Sequence, residues 1–308
     1  MLRNNNIECL NDILKIILYF DGFQYPKTLD EIISFSRFSE KEINDALNEL
    51  VKQKLLFLND GFYSLSDKLC IVKRRKKGND FAKKILIKAA KVSKFISQFP
   101  FVEGVFLSGS LSKGYFGEDD DIDFFIITSP NRLWLARTLL IAYKKIFLLN
   151  SKKYFCVNYF MSTNALEVAE RNRFTATEFV TLIPMNGNGV YCDLKKKNTW
   201  VLDYYPHFIT QNKISEPINK KVIKRILEYI FKGSLGNWLD GYFMKLTKNQ
   251  QQKKFTKLGK SDYDIAFKGK KNISKHHPDN HQKRVINLLN DNIIAFNKKH
   301  QFSIPLEN

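Results

Sequence analysis

Two aspartates one residue apart, Asp121 and Asp123, interrupt an otherwise apolar run, D-I-D-F-F-I-I-T. On a strand, side chains alternate faces, so both carboxylates point one way while Ile122 turns into the core. Two carboxylates a few ångströms apart repel each other unless a cation sits between them. A hard divalent ion, Mg²⁺ or Mn²⁺, suits such oxygens, keeps several waters and is shared with substrate phosphates. Upstream, across ten intervening residues, Gly109-Ser110 follows the apolar run V-E-G-V-F-L-S. Gly109 lets the backbone approach a phosphate closely, and Ser110 supplies a hydroxyl and an N–H. Lys113, in the connection L-S-K-G-Y-F-G-E-D-D, can reach the same phosphates as a point charge.

The elements that must position these groups are legible around them. A helix over Phe81–Phe99 precedes the first strand, and a helix over about Arg132–Leu149 and a strand over Tyr154–Phe160 follow the second. The short strands are rich in β-branched and aromatic residues, as sheet interiors demand.

This block, G-S-L-S-K-G followed by D-D-I-D-F-F-I-I-T, resembles the signature of the DNA-polymerase-β-type nucleotidyltransferase superfamily and looks most like its minimal bacterial versions. The resemblance implies Mg²⁺-dependent phosphoryl transfer from an NTP, with pyrophosphate leaving. It casts Asp121 and Asp123 as metal ligands and catalytic acids, with Gly109, Ser110 and Lys113 at the nucleotide. Active members usually carry a third carboxylate on the strand after the next helix. Here that strand reads Y-F-C-V-N-Y-F-M, and the matching polar position is Asn158. An amide oxygen can ligate Mg²⁺ but carries no charge and cannot act as a base. Either Glu167 or Glu178 substitutes from elsewhere, or the domain binds nucleotide without turning it over.

The fold class expected is α+β in three domains. Residues 1–76 read as helix, helix, helix and hairpin: apolar spacing over Ile7–Tyr19, capping-box patterns at Thr28/Glu31 and Ser39/Glu42, then alternation around Asn59-Asp60-Gly61. This order resembles a winged-helix domain. Its third helix opens with Glu40, Glu42 and Asp45, which phosphate would repel, so packing or partner docking is favoured over DNA reading. Residues 77–205 form the nucleotidyltransferase domain, a mixed sheet with flanking helices. Residues 206–308 are mostly helical, with patterns at Val222–Phe231 and Val285–Phe296, and hold 20 Lys and Arg against 8 Asp and Glu.

The net charge of +19 suits a phosphate-bearing partner, although an AT-rich coding sequence with abundant Lys and Asn gives the same balance. The linker over residues 73–94 contains ten basic residues and the single acid Asp80, and helical spacing from Phe81 on aligns Lys84, Lys88 and Lys91. Such a run is by default a solvated face; its rival reading is a stripe that holds RNA or another polyanion. Four scattered cysteines and an opening without an apolar leader predict a reducing cytoplasm, with no membrane partner. Arg132 and Arg137 read as capping or ion-pair residues, and Trp134 and Trp200 as core. His276, His277 and His281 read as a solvated cluster and not as metal ligands. The acceptor stays open among RNA, a small molecule and a protein. The competing function is a nucleotide- or nucleic-acid-binding regulator without catalysis, or an antitoxin-like partner.

Overall fold

The computed structural model describes residues 2–208, 217–218, 221–254, 269–275 and 280–307. The N-terminal elements are α1 (Leu2–Asp21), α2 (Leu29–Phe35), α3 (Glu40–Lys52) and a hairpin of β1 (Phe57–Asn59) with β2 (Phe62–Ser64). Both capping boxes form: Thr28 and Ser39 each accept from the backbone N–H of Glu31 and Glu42, whose carboxylates reach back to the cap.

The helix expected over Phe81–Phe99 is α4 (Leu69–Ile96), and it begins a full three turns earlier. The run K-R-R-K-K is therefore helix and not linker, because Val72, Arg75 and Gly78 bury one face of it against its neighbours. Consequently α4 runs without a break across residues 76 and 77.

The central sheet has six strands in the order β6-β3-β4-β5-β8-β7. These are β3 (Val102–Ser108), β4 (Asp123–Thr128), β5 (Cys156–Ser162), β6 (Ile183–Asn186), β7 (Gly269–Lys270) and β8 (Ile273–Lys275). Among the described residues only β4 and β5 pair in parallel, joined through the crossover helix α6 (Leu133–Phe147). The C-terminal segment thus contributes β7 and β8 to the sheet edge beside β5.

Each face of the sheet buries its own core. On one face α4 and α6 cover Val105, Leu107, Ile122, Phe124, Ile126 and Trp134. On the other lie α7 (Arg173–Val180), α8 (Asn188–Lys197), a 3₁₀ turn at Thr199–Asp203 and α11 (His281–His300), around Phe106, Phe125 and Met161. The N-terminal helices share this second core: Phe35 meets Tyr205 edge to face at 5.0 Å, and Ile13, Ile32 and Leu47 join the same cluster. Residues 1–76 are therefore packed as part of the body, on the side of the sheet where Asp123 emerges. Two further helices, α9 (Val222–Ile230) and α10 (Ser234–Lys254), lie against α6 and the loop before β3.

Candidate active site

The backbone brings the expected groups together in a cleft of about 870 Å³, lined by Gly109, Ser110, Lys113, Asp121, Asp123 and Asn158 among others. β3 ends at Ser108, and Gly109–Ser112 then form a single helical turn, α5, with Lys113 at its end. Gly109 takes φ +70°, a backbone region that side chains disfavour, and a Cβ there would stand 2.5 Å from Asp123 Oδ2. Only glycine lets the turn close onto that carboxylate.

The strand carrying the aspartates starts two residues later than expected. Regular pairing of β4 begins at Asp123, opposite Ser108 on β3 and Cys156 on β5, so Asp121 lies just before the strand. Ile122 is nonetheless tied to the β5 side, donating to Lys153 O and accepting from Cys156 N, and its side chain is fully buried. The alternation that places both carboxylates at the cleft is thereby preserved.

Electrostatically the pair is unsettled. Burial pushes the Asp123 carboxyl up to about 6, and the nearby charges of Asp121 and Glu178 push the same way. The thiol of Cys156 hydrogen-bonds to Asp123 and partly offsets that rise. Burial and the adjoining carboxylate in turn hold this thiol well above its ordinary range, so it stays a neutral donor.

Asn158 lines the cleft from a break in the strand pairing. The β4–β5 register slips between Val157 and Tyr159, so Asn158 is the extra residue of a bulge. Its Nδ2 donates to Cys156 Sγ at 2.8 Å. Beyond the bulge Tyr159 returns to the face of Asp123 and stacks on Phe125 at 4.8 Å. The strand expected over Tyr154–Phe160 is shifted to Cys156–Ser162, and its residue opposite Asp123 is a cysteine.

Besides Asp121 and Asp123 the cleft is lined by Asp119, Asp120, Glu170 and Glu178, and the last of these comes from a helix. Glu178 on α7 takes a salt bridge from Lys113 Nζ at 2.7 Å, and its other oxygen accepts from Gly109 N at 3.4 Å. Lys113 Nζ also donates to Gly109 O at 3.1 Å. Glu167, the other acid considered, pairs with Arg171 on the exposed surface and does not line the cleft. The Ser110 hydroxyl donates to Asp120 Oδ2 at 2.7 Å, and Gly117 N donates to the same oxygen, which ties the turn to the start of the aspartate strand.

Sequence spacing gave no hint of the opposite wall. Tyr19, Phe20, Phe23, Tyr25 and Arg74 approach from the N-terminal module, and Lys275, His281 and Val285 from the C-terminal segment. The Tyr25 hydroxyl donates to Lys113 O, and Arg74 Nε donates to the Tyr115 hydroxyl at 3.1 Å. His276 and His277 lie outside the described residues.

The remaining candidates resolve as follows. Lys84, Lys88 and Lys91 are exposed and do not line the cleft; Lys88 Nζ sits 3.1 Å over the Tyr154 ring. Arg132 caps carbonyls of the α9–α10 turn, bonding Phe231 O at 2.8 Å, and Arg137 lies over the Trp134 ring. Trp134 and Trp200 are buried, and Cys9, Cys70, Cys156 and Cys192 are free thiols. Among the described residues no group of three or more His, Cys, Asp or Glu side chains is placed to hold a metal ion, and no helix is long and apolar enough to cross a membrane.

Residues 86–230 match the model of the Nucleotidyltransferase domain family, a span that takes in the whole of β3, α5, β4, α6 and β5. The match supports the nucleotidyltransferase superfamily for this part of the chain and, with it, a general nucleotidyl-transfer activity. No curated protein and no solved structure matches the chain.

Proposed function

We propose that the protein moves a nucleoside monophosphate from an NTP to a hydroxyl acceptor, using Mg²⁺ or Mn²⁺ at Asp121 and Asp123. The observation that carries this reading is the close approach of Gly109 to Asp123, which brings the backbone turn after β3 directly against that carboxylate. The donor set suits the ion: two carboxylates, with no group of three or more His, Cys, Asp or Glu ligands among the described residues, would leave the remaining positions to water and triphosphate oxygens, the usual habit of Mg²⁺. When bound, the ion would neutralise phosphate charge and acidify the attacking hydroxyl.

The chain's own groups do the rest. Gly109 N–H and Lys113 orient the triphosphate, while Asp120 fixes the Ser110 side chain and with it the turn. Cys156 keeps Asp123 aimed at the cleft, and Asn158 steadies Cys156. Glu178 supplies the acid that β5 lacks: once phosphate takes over Lys113, its carboxylate is free to accept the acceptor's proton. The aromatic wall of Tyr19, Phe23 and Tyr25 suits a base or another planar group. In this reading the winged-helix-like module is a wall of the site and not a reader of DNA.

A second reading, a nucleotide binder without turnover, is favoured by one observation: Asn158 is spent on Cys156, and no acid of β5 faces Asp123. The purified protein, incubated with each labelled NTP, Mg²⁺ or Mn²⁺, and cell RNA or lysate, separates the two. Transfer that vanishes in Asp121→Ala and Asp123→Ala is the expected result. Nucleotide binding without transfer under either metal would establish the second reading instead.

A further inference from the structure

Helix α9 is inside out. Its one buried side chain is Lys224, whose Nζ donates to Ser97 O at 2.8 Å and to Val102 O at 2.7 Å. Glu228 also turns inward and accepts from Phe101 N at 2.9 Å. The apolar side chains face outward along one stripe, Ile223 at 71 % exposure, Ile226 at 52 % and Tyr229 at 83 %, with Val222 and Ile230 beside them. An isolated surface helix of a globular protein normally does the reverse.

Helix α10 extends the pattern. Leu235, Trp238, Tyr242 and Leu246 are exposed at helical spacing, and the rings of Trp238 and Tyr242 stack in parallel at 5.6 Å. The two helices are held to the body by Phe231, Phe243 and Met244, which pack against its core, and by polar groups: Arg132 bonds Phe231 O and Gly233 O in the connecting turn, and the Asp240 carboxylate accepts from Leu135 N at 2.9 Å. These buried, directional bonds fix the orientation, so the outward apolar stripe belongs to the fold.

Charge identifies the occupant. Glu228 and Asp240 are the only acids between residues 221 and 254, and both turn inward, whereas Lys221, Arg225, Lys232, Lys245 and Lys253 are exposed. A second copy would bring the same cations, from a chain of net charge +19, against this face. Neither helix contributes a residue to the cleft that holds Asp121 and Asp123, so the stripe lies apart from that site. Branched aliphatic side chains, Trp and Tyr at the water boundary and a fringe of Lys and Arg are the composition that partitions into an anionic bilayer interface.

We infer that α9 and α10 seat the protein on an anionic lipid surface, with Ile223, Ile226, Tyr229 and Trp238 entering the headgroup layer. This departs from the sequence expectation of no membrane partner, and it is independent of what the cleft catalyses. The full chain is sedimented with vesicles of phosphatidylcholine alone and with vesicles that also contain phosphatidylglycerol. Binding to the anionic vesicles only, weakening as salt rises, is expected. The variants Ile226→Glu and Trp238→Glu, at exposed positions that leave thermal unfolding unchanged, should lower the bound fraction on the order of tenfold. No binding to either vesicle overturns the proposal. So does binding that both variants retain, or concentration-dependent self-association that Ile226→Glu abolishes, which would assign the ridge to a second copy.

Discussion

Lys113 Nζ lies 2.7 Å from Glu178 Oε1, while the other oxygen of the same carboxylate accepts from Gly109 N. The acid thereby occupies two of the donors that the proposed function assigns to a phosphate oxygen. Replacing Glu178 by Gln keeps the shape and removes the charge. Nucleotide affinity should then hold or rise a few-fold, since a neutral amide competes less well for the Lys113 ammonium. Transfer should fall about 100-fold, the scale of a lost general base. Titration calorimetry and a single-turnover assay measure the two separately, and unchanged values in both would remove Glu178 from the site.

Asp123 gives the site a pH signature. Its folded carboxyl is raised from 3.8 to about 6, so the folded protein holds that proton more tightly than the unfolded chain does. Its contribution to stability is therefore complete below 3.8 and is lost as pH rises through about 6. A divalent ion must displace the same proton, so stabilisation by Mg²⁺ should appear above about pH 6 and fade below it. Thermal unfolding of the metal-free and Mg²⁺-loaded protein across this range checks both, and Asp123→Asn should flatten both curves.

Gly109→Ala should cost about 1–3 kcal/mol of stability, because its left-handed backbone strains any side chain. The added methyl would also press on Asp123 Oδ2, so the metal effect on unfolding should weaken with it. A variant with the parent's melting temperature and the parent's Mg²⁺ response would contradict this placement.

Asn158 touches a neutral thiol, so Asn158→Ala should lower transfer by less than about tenfold, the worth of roughly one ordinary hydrogen bond. Asn158→Asp should not raise it, since a further acid beside Asp123 adds repulsion where no ligand is missing. Stimulation by Asn158→Asp in a steady-state assay would show that position 158 ligates the ion after all.

What was legible in the sequence was what is local along the chain. Gly109, Ser110 and the Asp pair sit within one strand–turn–strand, where alternation alone sets which side chains share a face. Glu178 is one of two acids the sequence offers for that role, but it reaches the same spot from a helix remote in sequence, and nothing in R-F-T-A-T-E-F-V separates it from Glu167. The bulge at Asn158 was equally hidden, because a register slip depends on the partner strand. Strands β7 and β8, two and three residues long, carry too little pattern to announce themselves. The length of α4 was missed for a different reason: its basic run looks like a linker until Arg75 is seen buried against Pro26 O and Glu31.

Tyr25, Arg74 and Gly78 all grip the turn that bears Lys113: Tyr25 through the carbonyl of Lys113, Arg74 through Tyr115, and Gly78 by an approach so close that a Cβ would stand 2.1 Å from the Tyr115 ring. Amputation of the first helices would therefore not release a smaller self-sufficient domain. It would strip a shared interior and slacken the turn that carries Lys113 into the cleft. A chain built this way cannot trade its N-terminal module for another without rebuilding its own substrate cleft, so the two have to change together.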